Sequence, residues 1–322
     1  MLPKSNKGDG RHYEIANRRT PKVKKNELKL QAFGHACRFF VDSRSANPDQ
    51  LLELCYDEMA RLEQKFSAYR QDSLVSKINQ YAGTGVFVPL DTESRSLIDY
   101  VTALWDESKH LYDPTTRLLH NCYDEQGALR ATQEQLQGML TLVGWQYLEV
   151  SDQGAHLSRK GMQIDLNSCV RPYAIDTIKK KLVQNGAEHA LLEIGRDSAT
   201  IGKQPDGANW LVGARLPNGN RVSIERLKLN DKGYAMRGDY EQATLVHAER
   251  FGRALSPVDG QPIPGLLCVA VIADNCLTAC SAASVARLKT EENGIKWLES
   301  FGMPWLAVDR NLRCHGPLAP SS

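Results

Sequence analysis

Asp274 and Thr278 stand one helical turn apart at the head of a small-residue run, "ADNCLTACSAASVARLK", so a carboxylate and a hydroxyl can project from one face. Two hard oxygens completed by backbone carbonyls suit a hard cation, while an ordinary helix cap is the competing reading. A second stretch with chemical content is "DLNSCVRPYAID", residues 165–176, which reads as a strand end turning into a helix. Its Arg171 could grip a phosphate, and its Pro172 is expected in the first turn of the helix that follows. Cys276 and Cys280 lie four apart and can share a helix face, but no His or Cys pair stands near them to complete a metal site. The histidines form no cluster that spacing reveals. No G-x-G-x-x-G, Walker loop, G-x-S-x-G, H-E-x-x-H or C-x-x-C occurs, which removes the common nucleotide, hydrolase and zinc motifs.

The chain that must position these groups has 322 residues, 42% of them hydrophobic, enough for a sizeable core in one large domain or two. Its formal net charge of +2 gives no field that would draw nucleic acid, and no nucleic-acid partner is expected. The exception is local: residues 1–30 carry nine Lys or Arg against three Asp or Glu, without periodicity, and read as a flexible basic arm ahead of a domain at 31–322. No apolar run reaches the length of a membrane span, and the opening residues lack the apolar centre of a signal peptide. The expected location is therefore cytoplasmic, with the eight cysteines reduced and buried.

Helical patterning is clear in "NPDQLLELCYDEMARLEQKF", where Asn47 can cap, Pro48 fits the first turn, and Leu51, Leu54, Cys55, Met59, Leu62 and Phe66 form a stripe. Further helices are expected at about 91–109, in "ATQEQLQGMLTLVGW", in "YAIDTIKKKLVQNG" closed by Gly186, in the Asp274 run and in "EENGIKWLESFG". Strands are expected in "HALLEIG", "SATIG", "NWLVGARL", "RVSIERLKL", "KGYAMRG", "GLLCVAVIA" and "PWLAVD", with a hairpin over "YLEVSDQGAHLSRKGMQIDL". Strands and helices come in blocks, so the fold class is α+β.

Taken in order, short segments from about Phe33 to Val308 resemble the ApbE family, the FAD:protein FMN transferases. "FGHACRFF" looks like an opening M-G-T strand. "RLEQKFSAYRQDSLVSKIN" is close to L-(E/D)-x-x-(F/L)-S-x-Y-x-x-x-S-x-(L/V)-S-x-(I/L)-N, with Ser67 and Tyr69 in place. "YDPTT" resembles F-D-P-T at Asp113 to Thr115; "IDLNSCVRPYAID" resembles I-D-L-G-G-I-A-K-G-Y-A-V-D and keeps Asp165. "EIGRDSATIG" stands for the G-G-D strand with Asp197, "YAMRGDYEQ" for A-T-S-G-D-Y with Asp239, "ALSPVDGQP" for I-I-D-P-x-T-G-x-P, and "ADNCLTAC" for A-D-A-L-A-T-A.

The resemblance implies a T-fold-like α+β domain with antiparallel sheets that binds FAD with Mg²⁺ and transfers FMN to a Thr or Ser hydroxyl of an acceptor protein, releasing AMP. It places the metal at Asp274 and Thr278 with a carbonyl from Ser168–Arg171, Asp239 near the reacting groups, and Ser67, Tyr69, Asp113, Asp165, Arg171, Arg196, Asp197, Arg237 and Arg253 around the nucleotide. For Ser67, Tyr69 and Asp113 the rival role is tying loops together through side-chain hydrogen bonds. The chain departs from the pattern at Asn167, Ser168, Arg171 and Pro172, at Arg196, at Met236 and Arg237 for Thr-Ser, at Arg253 for a histidine and at Ser256 for an aspartate. Arg253 cannot serve as a base at neutral pH. The new arginines admit two readings: a site redesigned for a different anionic ligand, or a site filled by salt bridges to Asp165, Asp197 and Asp239 after ligand binding is lost. Beside the transferase stands a catalytically degenerate relative that binds flavin or a partner without the chemistry.

Overall fold

A computed structural model describes residues 26–42, 44, 47–124, 127–218, 221–238, 244–246, 249–251 and 254–320. The chain opens with β1 (Glu27–Ala32) and β2 (His35–Val41), joined by a tight turn at Phe33 and Gly34. Residues 27–30, expected in the basic arm, are therefore strand. Leu28 is buried while the charged residues of β1 face outward, and Glu27 pairs with Lys29 and with Arg38 of β2.

Helix α1 (Pro48–Phe66) starts as its sequence demands, with the Asn47 side chain accepting from the Gln50 N–H and Pro48 in the first turn. Two further helices follow, α2 (Leu74–Gln80) and α3 (Thr92–Glu107), the latter capped by Asp91. After a 3₁₀ segment over Thr116–Cys122 come α4 (Gln133–Leu140), β3 (Leu148–Ser151) and β4 (Gly154–Leu157), the last two forming the expected hairpin. Next are α5 (Asn167–Gln184), β5 (Ala190–Ile194), β6 (Asp197–Ile201), β7 (Trp210–Asn218), β8 (Arg221–Leu229) and β9 (Gly233–Gly238). The chain continues through β10 (Thr244–Val246), β11 (Glu249–Phe251), β12 (Cys268–Ala273), α6 (Cys276–Arg287), α7 (Glu291–Glu299), β13 (Trp305–Val308) and β14 (Cys314–His315).

Among the described residues the main sheet has the order β1-β2-β5-β6-β9-β12-β13-β14, and every neighbouring pair in it is antiparallel. The fold is α+β, as block-wise elements require. Both faces are covered. On β12, Cys268, Ala270 and Ile272 pack with the β7–β8 hairpin residues Trp210, Val212 and Leu229, while Val269, Val271 and Ala273 pack with α6. Period-two alternation with both sets apolar is what a strand buried on two sides looks like in sequence. Helices α1 and α5 cover the β1–β2–β5–β6 end, where Phe39, Leu192 and Ile194 meet Met59, Leu62 and Ile178.

Helix α5 differs from expectation. It begins at Asn167, so Pro172 is its sixth residue, inside the helix and buried, not in the first turn. Proline has no N–H to give the carbonyl four residues back. That carbonyl, of Ser168, accepts instead from the Cys280 thiol of α6 at 3.2 Å. The lost helical bond is thus replaced by a contact that ties α5 to α6.

Candidate functional site

The 3₁₀ segment and the start of α5 form one wall. The Asp165 N–H donates to the Pro114 carbonyl at 3.0 Å, its Oδ1 accepts from the Asn167 N–H at 2.9 Å, and its Oδ2 accepts from Arg117 at 2.7 Å. The Arg117 guanidinium also lies 4.5 Å from the centre of the exposed Tyr69 ring. These groups, with Asp113, Asn167 and Ser168, line a cavity of about 530 Å³. A carboxylate, a forked cation and an aromatic face can meet a ligand that carries both an anion and a ring system. Arg117, three residues beyond Pro114, escaped the sequence reading because one arginine in a turn carries no spacing signal.

Two other candidates tie loops together. Ser67 accepts from the Tyr69 N–H at 3.3 Å. Asp113 is buried and accepts from the Thr115 N–H, the Thr115 hydroxyl and the Trp145 N–H at 2.8, 2.6 and 2.8 Å.

A second cluster lies between the sheet and α5–α6. Asp197 of β6 stands opposite Ala235 of β9, which brings Arg237, two residues on, within diagonal reach on the helix-facing side. Arg237 binds Asp197 through both terminal nitrogens at 2.5 and 2.9 Å and also donates to the Cys280 sulfur at 2.6 Å. Burial opposes its charge, but Asp197 prevails and holds the guanidinium firmly protonated. Arg196 donates to the Gly238 carbonyl at 2.6 Å. Asp197 thus takes one of the new arginines, Arg237, as the salt-bridge reading expects, whereas Asp165 takes Arg117, which is not one of them. Asp239 and Arg253 lie outside the described residues.

Arg171 meets His35 and pairs with no carboxylate among the described residues. A guanidinium only donates, so the His35 Nε2 must accept and its ring proton must sit on Nδ1. Burial first, and Arg171 second, lower the His35 pKa from 6.5 to about 4; Arg237 and Arg196 act in the same direction and Asp197 opposes them. Because the folded pKa lies below the unfolded one, the stability this neutral ring contributes is complete above pH 6.5 and is lost as pH falls toward about 4. His35→Gln, which keeps an acceptor but cannot titrate, should therefore flatten the pH dependence of urea unfolding across that interval; an unchanged dependence would refute the assignment.

The cation candidates sit at the N-terminal end of α6, the part of that helix to which Cys280 also belongs. Asn275 is the cap, accepting from the Thr278 N–H at 2.8 Å, so Asp274 precedes the helix and does not begin it. Both Asp274 and Thr278 are exposed. One Asp274 oxygen accepts from Lys232 at 2.5 Å, so a cationic group already occupies that carboxylate. The Ser168 carbonyl contacts Cys280, farther along α6. No group of three or more His, Cys, Asp or Glu among the described residues could hold a metal alone. A carboxylate and a hydroxyl nonetheless fit Mg²⁺, which keeps several waters and takes ligand phosphate oxygens for the rest. Cys276 and Cys280 are buried thiols, raised by burial; Cys314 is exposed, contrary to the expectation that all eight are buried.

Helices α5 and α6 packed on an antiparallel sheet, with the DPT corner and the Asp165 turn facing one cavity, set the order of the sequence motifs into one architecture. The ApbE family pattern matches residues 31–306. The chain belongs to the ApbE family. Among its relatives are the FAD:protein FMN transferases of Vibrio cholerae serotype O1, 24% identical over 266 residues, 81% of this chain and 77% of the relative, and of Haemophilus influenzae, 26% identical over 226 residues, 67% and 65%. The Thermotoga maritima ApbE protein superimposes with a TM-score of 0.77 at 26% identity, covering 90% of this chain and 96% of that one. The Pseudomonas stutzeri flavinyl transferase ApbE, apo form, gives 0.76 at 25%, covering 89% and 92%. As an ApbE-family chain, this one carries no helix among its described residues that is long and apolar enough to cross a membrane.

Proposed function

We propose that this ApbE-family chain binds FAD with Mg²⁺ and transfers FMN to a Thr or Ser hydroxyl of an acceptor protein. The observation that carries the reading is the cavity in which Tyr69, Arg117 and Asp165 converge, in a chain whose relatives bear that activity in their names. Arg117 would orient a phosphate, and the Tyr69 face would support a ring. The acceptor oxygen forms a bond to the FMN phosphorus, the diphosphate bond breaks, and AMP departs with the bridging oxygen. Asp239 is the proposed acceptor of the hydroxyl proton. Mg²⁺ held by Asp274 and Thr278 would neutralise charge on the diphosphate. Residues 1–30 are proposed as an arm outside this 31–322 domain, apart from the strand residues of β1.

A second reading is favoured by one observation. Arg237, where the family pattern has a serine, is engaged with Asp197 and Cys280, which supports a catalytically degenerate relative acting as a flavin binder or interaction partner. FAD titration followed by flavin fluorescence, together with assay of AMP released from FAD, separates the two. Metal-dependent FAD binding with AMP release supports transfer, and binding without release supports a flavin binder; absence of FAD binding would overturn the transferase and the flavin binder alike. Asp274→Ala should weaken metal-dependent FAD binding by at least about tenfold, since even outer partners of a metal site are worth that much.

A further inference from the structure

The candidate metal carboxylate already has a cation on it, and the fold fixes the backbone from which that cation extends. The backbone of Lys232, just before β9, is pinned on both sides: its carbonyl accepts from the Thr200 N–H at 3.0 Å, and its N–H donates to the Thr200 hydroxyl at 3.3 Å. The next residue, Gly233, runs so close to the head of α6 that a Cβ there would lie 2.2 Å from the Asn275 carbonyl carbon and 2.3 Å from the Cys276 nitrogen. The head of α6 is itself fixed to α5, because the two Asp176 oxygens accept from the Cys276 and Leu277 N–H groups, each at 2.8 Å. Both ends of the Lys232–Asp274 pair thus rest on rigid backbone, and the ammonium has a high effective concentration at the carboxylate. Nearby Lys179 pairs with Asp231 at 3.0 Å and acts on Asp274 only through its field, more weakly than Lys232. The positive end of the α6 dipole also disfavours a second cation at this place.

We propose that Lys232 is a tethered counter-cation of Asp274 which a divalent metal must displace, so that metal binds weakly alone and well only together with the diphosphate it neutralises. The inference rests on the reading of Asp274 as a metal ligand. It makes Lys232 a gate on metal uptake: the ammonium guards the carboxylate until a polyanion supplies enough negative charge to draw both cations. The ligand class this implies is a metal–diphosphate complex entering as a unit, with free divalent cation disfavoured by about two- to fivefold.

The test is a Mn²⁺ titration followed by the paramagnetic resonance signal of the free ion, with and without FAD, on the full chain. Lys232→Met should tighten Mn²⁺ binding without FAD by about two- to fivefold, the range in which exposed ion pairs act, and should narrow the difference that FAD makes. Lys179→Met, which removes the same charge from the Asp231 pair, should leave Mn²⁺ binding within about twofold of the native chain. Unchanged or weaker Mn²⁺ binding in Lys232→Met, with binding still abolished by Asp274→Ala, would overturn the gate alone. Equal tightening in both lysine variants would overturn it too, showing a general field effect. Mn²⁺ binding that survives Asp274→Ala would overturn the metal reading and the gate together.

Discussion

Asp197→Ala should destabilise the chain by about 3–5 kcal/mol, the cost of stranding a buried charge by removing its partner. Asp197 is 1% exposed, and both its oxygens are taken by Arg237 at 2.5 and 2.9 Å. Without it, the Arg237 guanidinium stays under α6 with only the Met236 carbonyl and the Cys280 sulfur as acceptors among the described residues, and with Arg171 acting electrostatically on the same space. Removing both charges is a different experiment. The double variant Asp197→Ala with Arg237→Met leaves no buried ion, so it should be more stable than Asp197→Ala alone, although it carries one substitution more. Urea unfolding of the four proteins in the cycle decides the matter. A single-variant loss below about 1 kcal/mol, or simple additivity, would mean that the pair is relaxed by water and does not order this part of the site. A confirmed coupling would identify Arg237 as a structural occupant of the space for which the family pattern has a serine.

Local rules carried much of the sequence reading. Asn47 before Pro48 fixes the start of α1 where that rule puts it, and the alternation from Tyr147 fixes a hairpin that closes at Leu157, short of the Leu166 expected, each through contacts within a few residues. What failed was decided by distant partners. Pro172 reads as a helix start because its missing N–H is costly inside a helix; here the freed Ser168 carbonyl is met by Cys280, 112 residues away, which no local pattern announces. Strand β1 was hidden by its charges, and those charges face outward and find partners on β2. At the site, the order of the motifs located the segments but not the pairing. Four arginines and three aspartates could be matched in many ways, and the register of β6 with β9 is what gives Asp197 to Arg237. The same limit applies to Asp274 and Thr278. Their spacing suggested a shared helix face, yet Asn275 takes the cap and leaves Asp274 before the helix, where Lys232 reaches it.

Asp113→Ala should lower stability by about 3 kcal/mol in the absence of any ligand, because it removes the acceptor that closes a buried corner. One carboxylate oxygen holds the Thr115 N–H and hydroxyl, the other holds the Trp145 N–H, and the Thr115 hydroxyl in turn accepts from the Gly144 N–H at 2.7 Å. Thr115 is fully buried, so water cannot replace these bonds at no cost. Asp113→Asn keeps the shape and one carbonyl oxygen but turns an amide toward N–H donors, and should recover only part of the loss. The corner matters for chemistry because Pro114 receives the Asp165 N–H and Arg117 follows within the same turn. Loosening it should weaken FAD binding indirectly, in step with stability. Urea unfolding without ligand and FAD titration at a temperature where each variant is folded separate the two roles. Unchanged stability without ligand combined with a large loss of FAD affinity would make Asp113 a direct ligand contact; a loss of stability that appears before any ligand is added makes it the post on which the Arg117–Asp165 wall stands.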